Sequence, residues 1–494
     1  MAVNIKENVF REYDIRGVFG EDLSFEFAEL LAKAFVRFVK EKSGKQNVTV
    51  SVGRDIRLSS PELRNAVVKG LTASGADTID LGECPTPLQY FSMFNESNGV
   101  LPDGGIMITG SHNPSEYNGF KISLGKNTLH GEDIQELKKL MKTVQQEDLL
   151  NIATGQSHCG TSGKLKFFNV KKAYLEWVTN DIKLNVDKPI KVVIDSGNAT
   201  GGLVAPELLK SLGCEVVELY CDIDGTFPNH HPDPTVPENL KDLIEKVKET
   251  KADLGIGYDG DSDRIGAVDE NGSIIYGDQL MIIYSHDILE SQPGSTIVGD
   301  VKCSNVMYDE INSSGGKAVM WKTGHSLIKS KMKELGASLA GEMSGHIFFA
   351  DRFFGFDDAI YSSCRLIEIL AKKRSTDPLF TTSMLLKDIK STVSTPEIRI
   401  DCPDDEKFAV IDKLKEKLSK VTEGPGGLKV KEVIDIDGIR IEFEGGWALG
   451  RTSNTQPVMV FRFEAETKDT LLSLKDFVFS MVKEIKPDIN LGDS

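Results

Sequence analysis

The chain has 494 residues, 40% hydrophobic and 27% charged, and its 58 Lys and Arg against 75 Asp and Glu give a formal net charge of −17. Such a length implies roughly three to five domains with sizeable cores, and the acidic balance argues against wrapping nucleic acid or an anionic membrane surface. An anionic ligand would therefore need positive charge focused in a cleft. The N-terminus lacks an apolar core of signal-peptide length, no run approaches a membrane span, and the seven cysteines are scattered without C-x-x-C spacing. A cytoplasmic protein with reduced thiols is expected.

In chain order, R-E-Y-D-I-R-G at 11–17 opens the first block, followed by a helical pattern over 23–42 and a strand over 48–52. Arg54-Asp55 and S-S-P-E then predict a loop and a helix start, with Pro61 in the first turn, and the next strand falls at 77–81. The same cadence returns twice. Strands are expected at 191–195 and 215–220 around a helix over 206–212, and at 295–300 and 318–321 around a helix reaching about 312. Three such rounds argue for α/β units with largely parallel cores, whose working groups sit on loops past the strand ends. The last block differs in kind: strands near 395–400, 438–443 and 458–463, with helices at 405–420 and 468–485, predict an α+β domain. The divisions expected are 1–160, 161–272, 273–385 and 386–494, with residues 156–164 as the first linker.

Four stretches carry chemistry. The apolar run 106–108 breaks into T-G-S-H-N-P, delivering Ser111 at a strand end beside glycine, and N-G-F-K follows with Lys121. Asp259-Gly-Asp-Ser-Asp-Arg264 places Asp259, Asp261 and Asp263 at alternating positions in a glycine-containing loop, a pattern able to converge on one hard cation. An EF-hand would need glycine at its sixth position, where Arg264 stands; Mg²⁺, which tolerates few carboxylates, suits the loop. Glu342 and Ser344 in G-E-M-S-G-H offer acceptor and donor capacity for sugar hydroxyls. Arg451-Thr-Ser453-Asn454-Thr455 combines a guanidinium, hydroxyls and backbone N–H groups, the ingredients of a phosphate cradle.

Together, in this order, the four strings resemble the phosphoserine, metal, sugar-reading and phosphate loops of the α-D-phosphohexomutases. W-K-T-G-H-S at 321–326, F-P-N-H-H-P-D-P at 227–234 and F-F-G-F-D-D at 353–358 resemble a subgroup acting on both mannose and glucose phosphates. The resemblance implies three related α/β domains and a smaller fourth around a central cleft. It further implies reversible conversion of hexose 1-phosphate and hexose 6-phosphate through phosphorylated Ser111 and a hexose 1,6-bisphosphate. Mg²⁺ would be held by Ser111, Asp259, Asp261 and Asp263. Arg264, Lys121 and His325 would handle protons and charge, with Tyr13, Arg16, Lys302, Glu342, Ser344, His346, Arg451, Ser453, Asn454 and Thr455 around the sugar phosphate. His112 and His231 are expected to be structural. A glucosamine phosphate mutase or a catalytically silent relative are the competing readings, and a monomer is compatible with the sequence.

Overall fold

The computed structural model describes residues 2–96, 99–154, 162–453 and 456–491. Four sheets follow one another along the chain, as the resemblance implies: seven-, five- and four-stranded sheets with helices, then a six-stranded sheet. In the first, Thr49–Arg54 pairs in parallel with Asp77–Glu83 and with Gly104–Ile108. The second and third have parallel centres of the same kind, Lys191–Asp195 between Glu215–Leu219 and Leu254–Tyr258, and Thr296–Asp300 between Lys317–Trp321 and Leu339–Gly341. Central strands such as Gly104–Ile108 and Leu254–Tyr258 are buried throughout, which is why they read as apolar runs and not as alternating patterns.

The sheets are more mixed than the expected parallel cores. Gly104–Ile108 is followed by antiparallel Tyr117–Leu124, Leu254–Tyr258 by antiparallel Ile265–Asp269, and Leu339–Gly341 by antiparallel Ile347–Phe349. A parallel return needs a crossover of about a dozen residues or more, and none of these three connections is long enough. Each therefore closes as a hairpin, and each hairpin tip is one of the chemistry-bearing stretches. The fourth domain repeats the device in an antiparallel sheet, where Gly446–Thr452 pairs with Val458–Ala465.

Two expectations shift. Leu165–Phe167 pairs in parallel with Asp77–Glu83, so the first sheet takes a strand from beyond the division expected at 160. Most of the expected linker, residues 156–161 of it, lies outside the described residues, and Lys164 is already tied to the sheet by the N–H of Thr78. Among the described residues no helix is long and apolar enough to cross a membrane.

One continuous apolar cluster joins the second and third domains to the back of the first, running from Leu88 and Phe91 through Tyr174 and Leu208 to Leu366 on the helix Ala359–Thr376. The front of the first domain and the C-terminal domain have separate cores. Asp358 caps the helix Ala359–Thr376 by accepting from the Tyr361 N–H at 2.8 Å, and it accepts from the Tyr174 hydroxyl of the second domain at 2.7 Å. Burial pushes its carboxyl up to about 7. The folded protein thus holds this proton more tightly than the unfolded chain, so stability is greatest below the ordinary carboxyl range near 4 and declines as pH rises toward 7. Asp358→Asn keeps the cap and should flatten that slope, raising stability at pH 8 by roughly 4 kcal/mol at most; denaturation midpoints at pH 5 and 8 check this.

Candidate active site

The serine loop is held from below by a residue that no motif announced. Arg57 is fully buried and points its guanidinium into the turn after Ile108. Its Nη2 donates to the carbonyls of Ser111 at 2.8 Å and Asn113 at 2.6 Å, and its Nη1 to those of Tyr117 at 3.1 Å and Pro114. Asp55 pairs with Arg57 Nε and accepts the Gly110 N–H, both at 3.1 Å. Thr109 Oγ1 takes the Ser111 N–H at 2.8 Å. With its backbone so over-determined, Ser111 is kept at φ 51°, a left-handed conformation costly for a residue with Cβ. Arg57→Met would leave four carbonyls and a buried carboxylate without their cation. The expected loss is about 3–5 kcal/mol, read as a fall in denaturation midpoint accompanied by lost turnover.

Against this loop lies the acidic one. A Cβ on Gly260 would stand 2.2 Å from the Ser111 carbonyl oxygen, so only glycine lets the two tips meet. Ser111 Oγ donates to Asp259 Oδ2 at 3.3 Å and lies 3.2 Å from His112 Nδ1. His112, expected to be structural, stands beside the candidate nucleophile. Asp259 Oδ1 accepts the N–H groups of Asp263 and Arg264 at 3.0 and 3.1 Å. Lys121, buried on Tyr117–Leu124, pairs with Asp261 at 2.6 Å and with Asp263.

Three fully buried carboxylates, two of them paired with one ammonium, bring ligand oxygens within 4.8 Å of one another. Burial, with Asp263 and Asp261 beside it, drives Asp259 well above the usual carboxylate range. Asp263 is depressed: burial pushes it up, but Lys121, His346 and Arg264 together more than offset that. The Oδ1 atoms of Asp261 and Asp263 are buried without a hydrogen-bond partner. Unspent oxygen lone pairs and excess negative charge on one small loop fit a hard divalent cation.

Arg264 Nε donates to His346 Nε2 at 3.0 Å, and the His346 ring stacks on His325 at 5.5 Å. Burial, then the Lys329 ammonium, holds His325 well below the usual imidazole range. Tyr13 meets His325 edge-on at 5.9 Å and donates its hydroxyl to the Thr323 carbonyl at 2.9 Å. Glu342 accepts the Gly324 N–H at 2.5 Å and the Ser344 hydroxyl at 3.2 Å; burial raises its carboxyl.

The fourth domain is tied to the same loop. Arg451 lies in the strand Gly446–Thr452, one residue before its end, and its Nε donates to Asp437 at 3.0 Å. The same Asp437 oxygen takes the Thr323 N–H at 3.0 Å. Lys407 braces the neighbouring turn through the carbonyls of Ser453 at 2.6 Å and Gln456 at 2.9 Å. Asn454 and Thr455 lie outside the described residues. Arg16 reaches Asn113 of the serine loop at 3.1 Å, whereas Lys302 is engaged by Glu397 at 2.8 Å across the boundary between the third and fourth domains. In the F-F-G-F-D-D stretch, Phe353, Phe356, Asp357 and Asp358 are buried.

Four loops from four domains, one bearing a serine against an acidic trio and another an arginine at a strand end, form a phosphoryl-transfer architecture. Family models match it piece by piece: the phosphoglucomutase/phosphomannomutase alpha/beta/alpha domains I, II and III over residues 7–148, 172–272 and 276–385, and the C-terminal domain over 397–481. A phosphomannomutase/phosphoglucomutase of Pseudomonas putida is 44% identical over 99% of this chain and 98% of its own. A phosphoglucomutase of Neisseria meningitidis is 42% identical over 98% and 99%. The crystal structure of a phosphoglucomutase/phosphomannomutase family protein from Burkholderia thailandensis superposes with a TM-score of 0.87 at 42% identity, covering 99% of both chains. The chain belongs to the α-D-phosphohexomutase family.

Proposed function

We propose that this protein is a cytoplasmic phosphomannomutase/phosphoglucomutase that interconverts hexose 1-phosphates and hexose 6-phosphates, with phosphorylated Ser111 as the group carrier. The observation that carries this reading is the meeting of Ser111 Oγ with the acidic trio, 3.3 Å from Asp259, inside a family whose relatives bear those activities in their names. The six cysteines among the described residues are free and most are buried, in keeping with a reducing compartment.

Asp259, Asp261 and Asp263, with an oxygen on Ser111, would hold Mg²⁺. When bound, that ion offsets the phosphoserine charge of about −1.5 to −2 and polarises the phosphoryl oxygens. The chain's own groups do the rest. Arg451 holds the phosphate that is not reacting. The free sugar hydroxyl, at C1 or C6, attacks phosphorus; its O–P bond forms as the Ser111 Oγ–P bond breaks, and the hydroxyl proton passes to a group of the cleft as Ser111 is released. Lys121 and Arg264 face the charge that builds on the equatorial oxygens. The hexose 1,6-bisphosphate turns over in the cleft, and its other phosphate returns to Ser111 with the proton moving in the opposite sense. Closure by loops of four domains keeps water from the phosphoserine.

Glucose and mannose phosphates differ at C2. If Glu342 and Ser344 read the C3 and C4 hydroxyls, both epimers should be accepted, and Glu342→Ala should lower kcat/KM for both by similar factors. Coupled assays with both hexose 1-phosphates and trace bisphosphate test this. A preference above about a thousandfold, some 4 kcal/mol, would mean that C2 is read and would overturn dual specificity.

A further inference from the structure

Behind the two active-site imidazoles lies a carboxylate to which nothing in the reaction just described gives a part. Asp357 is wholly inaccessible to solvent. It stands immediately before the cap of the helix Ala359–Thr376 and is bridged through its backbone to Phe348, two residues beyond His346. Three side chains face its oxygens. His346 Nδ1 is 3.2 Å and His325 Nδ1 3.5 Å from Oδ2, while Lys329 donates to Oδ1 at 3.0 Å. The Lys329 ammonium also lies 4.1 Å from the Tyr90 ring centroid, so the pair is roofed by an aromatic face.

The hydrogen bonds fix where the proton of His346 sits. Its Nε2 faces Arg264 Nε at 3.0 Å. A guanidinium N–H can only donate, so Nε2 must present its lone pair and Nδ1 must carry the hydrogen. That hydrogen goes to the Asp263 carbonyl at 3.1 Å, with Asp357 Oδ2 3.2 Å from the same nitrogen as its counter-charge. Reversing the ring's tautomer would aim an N–H at a guanidinium and a lone pair at a carboxylate. The carboxylate is needed for its charge: Oδ1 takes the Lys329 hydrogen bond, and Oδ2 faces the two imidazoles at 3.2 and 3.5 Å. An aspartate offers two acceptor oxygens to the groups around it, whereas an asparagine of the same shape offers one and turns an N–H₂ group on the others.

We propose that Asp357 is a positioning residue for phosphoryl transfer: its buried charge, 3.2 Å from His346 Nδ1, favours the tautomer with the hydrogen on that nitrogen, and through the ring it holds the Arg264 guanidinium over the acidic loop. The proposal rests on the reading that Arg264 faces the transferring phosphoryl group. Partners behind a site's direct participants commonly change rate by 10- to 100-fold without touching substrate.

The test uses the full chain with Mg²⁺. Asp357→Asn should lower kcat for glucose 1-phosphate and mannose 1-phosphate by about 10- to 100-fold with KM changed less than about threefold. In a His346→Gln background the same substitution should cost less than about twofold, because its route to Arg264 is already gone. Long-range ¹H–¹⁵N spectra of the wild-type imidazoles should show His346 protonated at Nδ1 and bare at Nε2. Wild-type turnover in Asp357→Asn, an equal loss in both backgrounds, or a His346 proton on Nε2 would each overturn the proposal. Should Asp357→Asn fail to fold, Asp357→Glu, which keeps the charge but moves it, should lose turnover in the same background-dependent way, and an equal loss in both backgrounds would overturn the proposal. A wild-type protein without mutase turnover would sink the proposed function, while the spectrum would still judge the placement by Asp357.

Discussion

Ser111→Ala should lower mutase turnover by at least about a thousandfold, equivalent to some 4 kcal/mol of transition-state stabilisation. Sugar-phosphate binding should remain measurable, because Arg451, Glu342 and Lys121 are untouched. The fold should also survive. Ser111 Oγ makes one 3.3 Å contact to Asp259 and one of 3.2 Å to His112, whereas the loop is anchored by Arg57 and Asp55 through its backbone. Loss of activity with unchanged thermal stability separates a chemical role from a structural one. Retained turnover would mean that the phosphoryl group is carried elsewhere.

Removal of the divalent cation should have an effect of similar size. Exhaustive chelation should abolish activity and Mg²⁺ should restore it. A second readout does not depend on turnover. A ligand that binds the folded chain alone adds about 2.7 kcal/mol of stability at a hundredfold excess over its Kd, so saturating Mg²⁺ should raise the denaturation midpoint of the wild type. Asp261→Asn removes one of the three buried carboxylates and should lose most of that rise together with activity. Full activity after thorough chelation, or an undiminished Mg²⁺ response in Asp261→Asn, would contradict the assignment of the acidic loop.

What could be read from the sequence was what lies contiguous in it. The serine loop, the D-G-D-S-D-R loop and the R-T-S stretch are each a few residues of turn chemistry after an apolar run, and the structure puts each at a hairpin tip. The hairpins themselves were missed, though connections too short for a crossover were there to be counted. The residues that aim the site were illegible for another reason: their partners are far away in sequence. Arg57 serves carbonyls of Ser111 to Tyr117, Asp437 joins Arg451 to Thr323, and Asp357 collects His325, Lys329 and His346. A lone buried charge carries no local pattern. The one available hint for Arg57 was its position in a loop just past the strand Thr49–Arg54, where α/β sheets place working groups. The strand Leu165–Phe167, which joins the first sheet, was illegible because three residues at an edge are too few to show a period.

The central claim is that Ser111 carries the phosphoryl group between the two ends of the sugar. Peptide mass mapping of the purified protein before and after brief exposure to unphosphorylated-at-C6 glucose 1-phosphate tests it most directly. The account predicts a fraction of molecules with one phosphate on Ser111, lost on addition of the acceptor as glucose 1,6-bisphosphate appears in matching amount. A stable phosphate on another residue, or active enzyme whose Ser111 is never found phosphorylated, would contradict it.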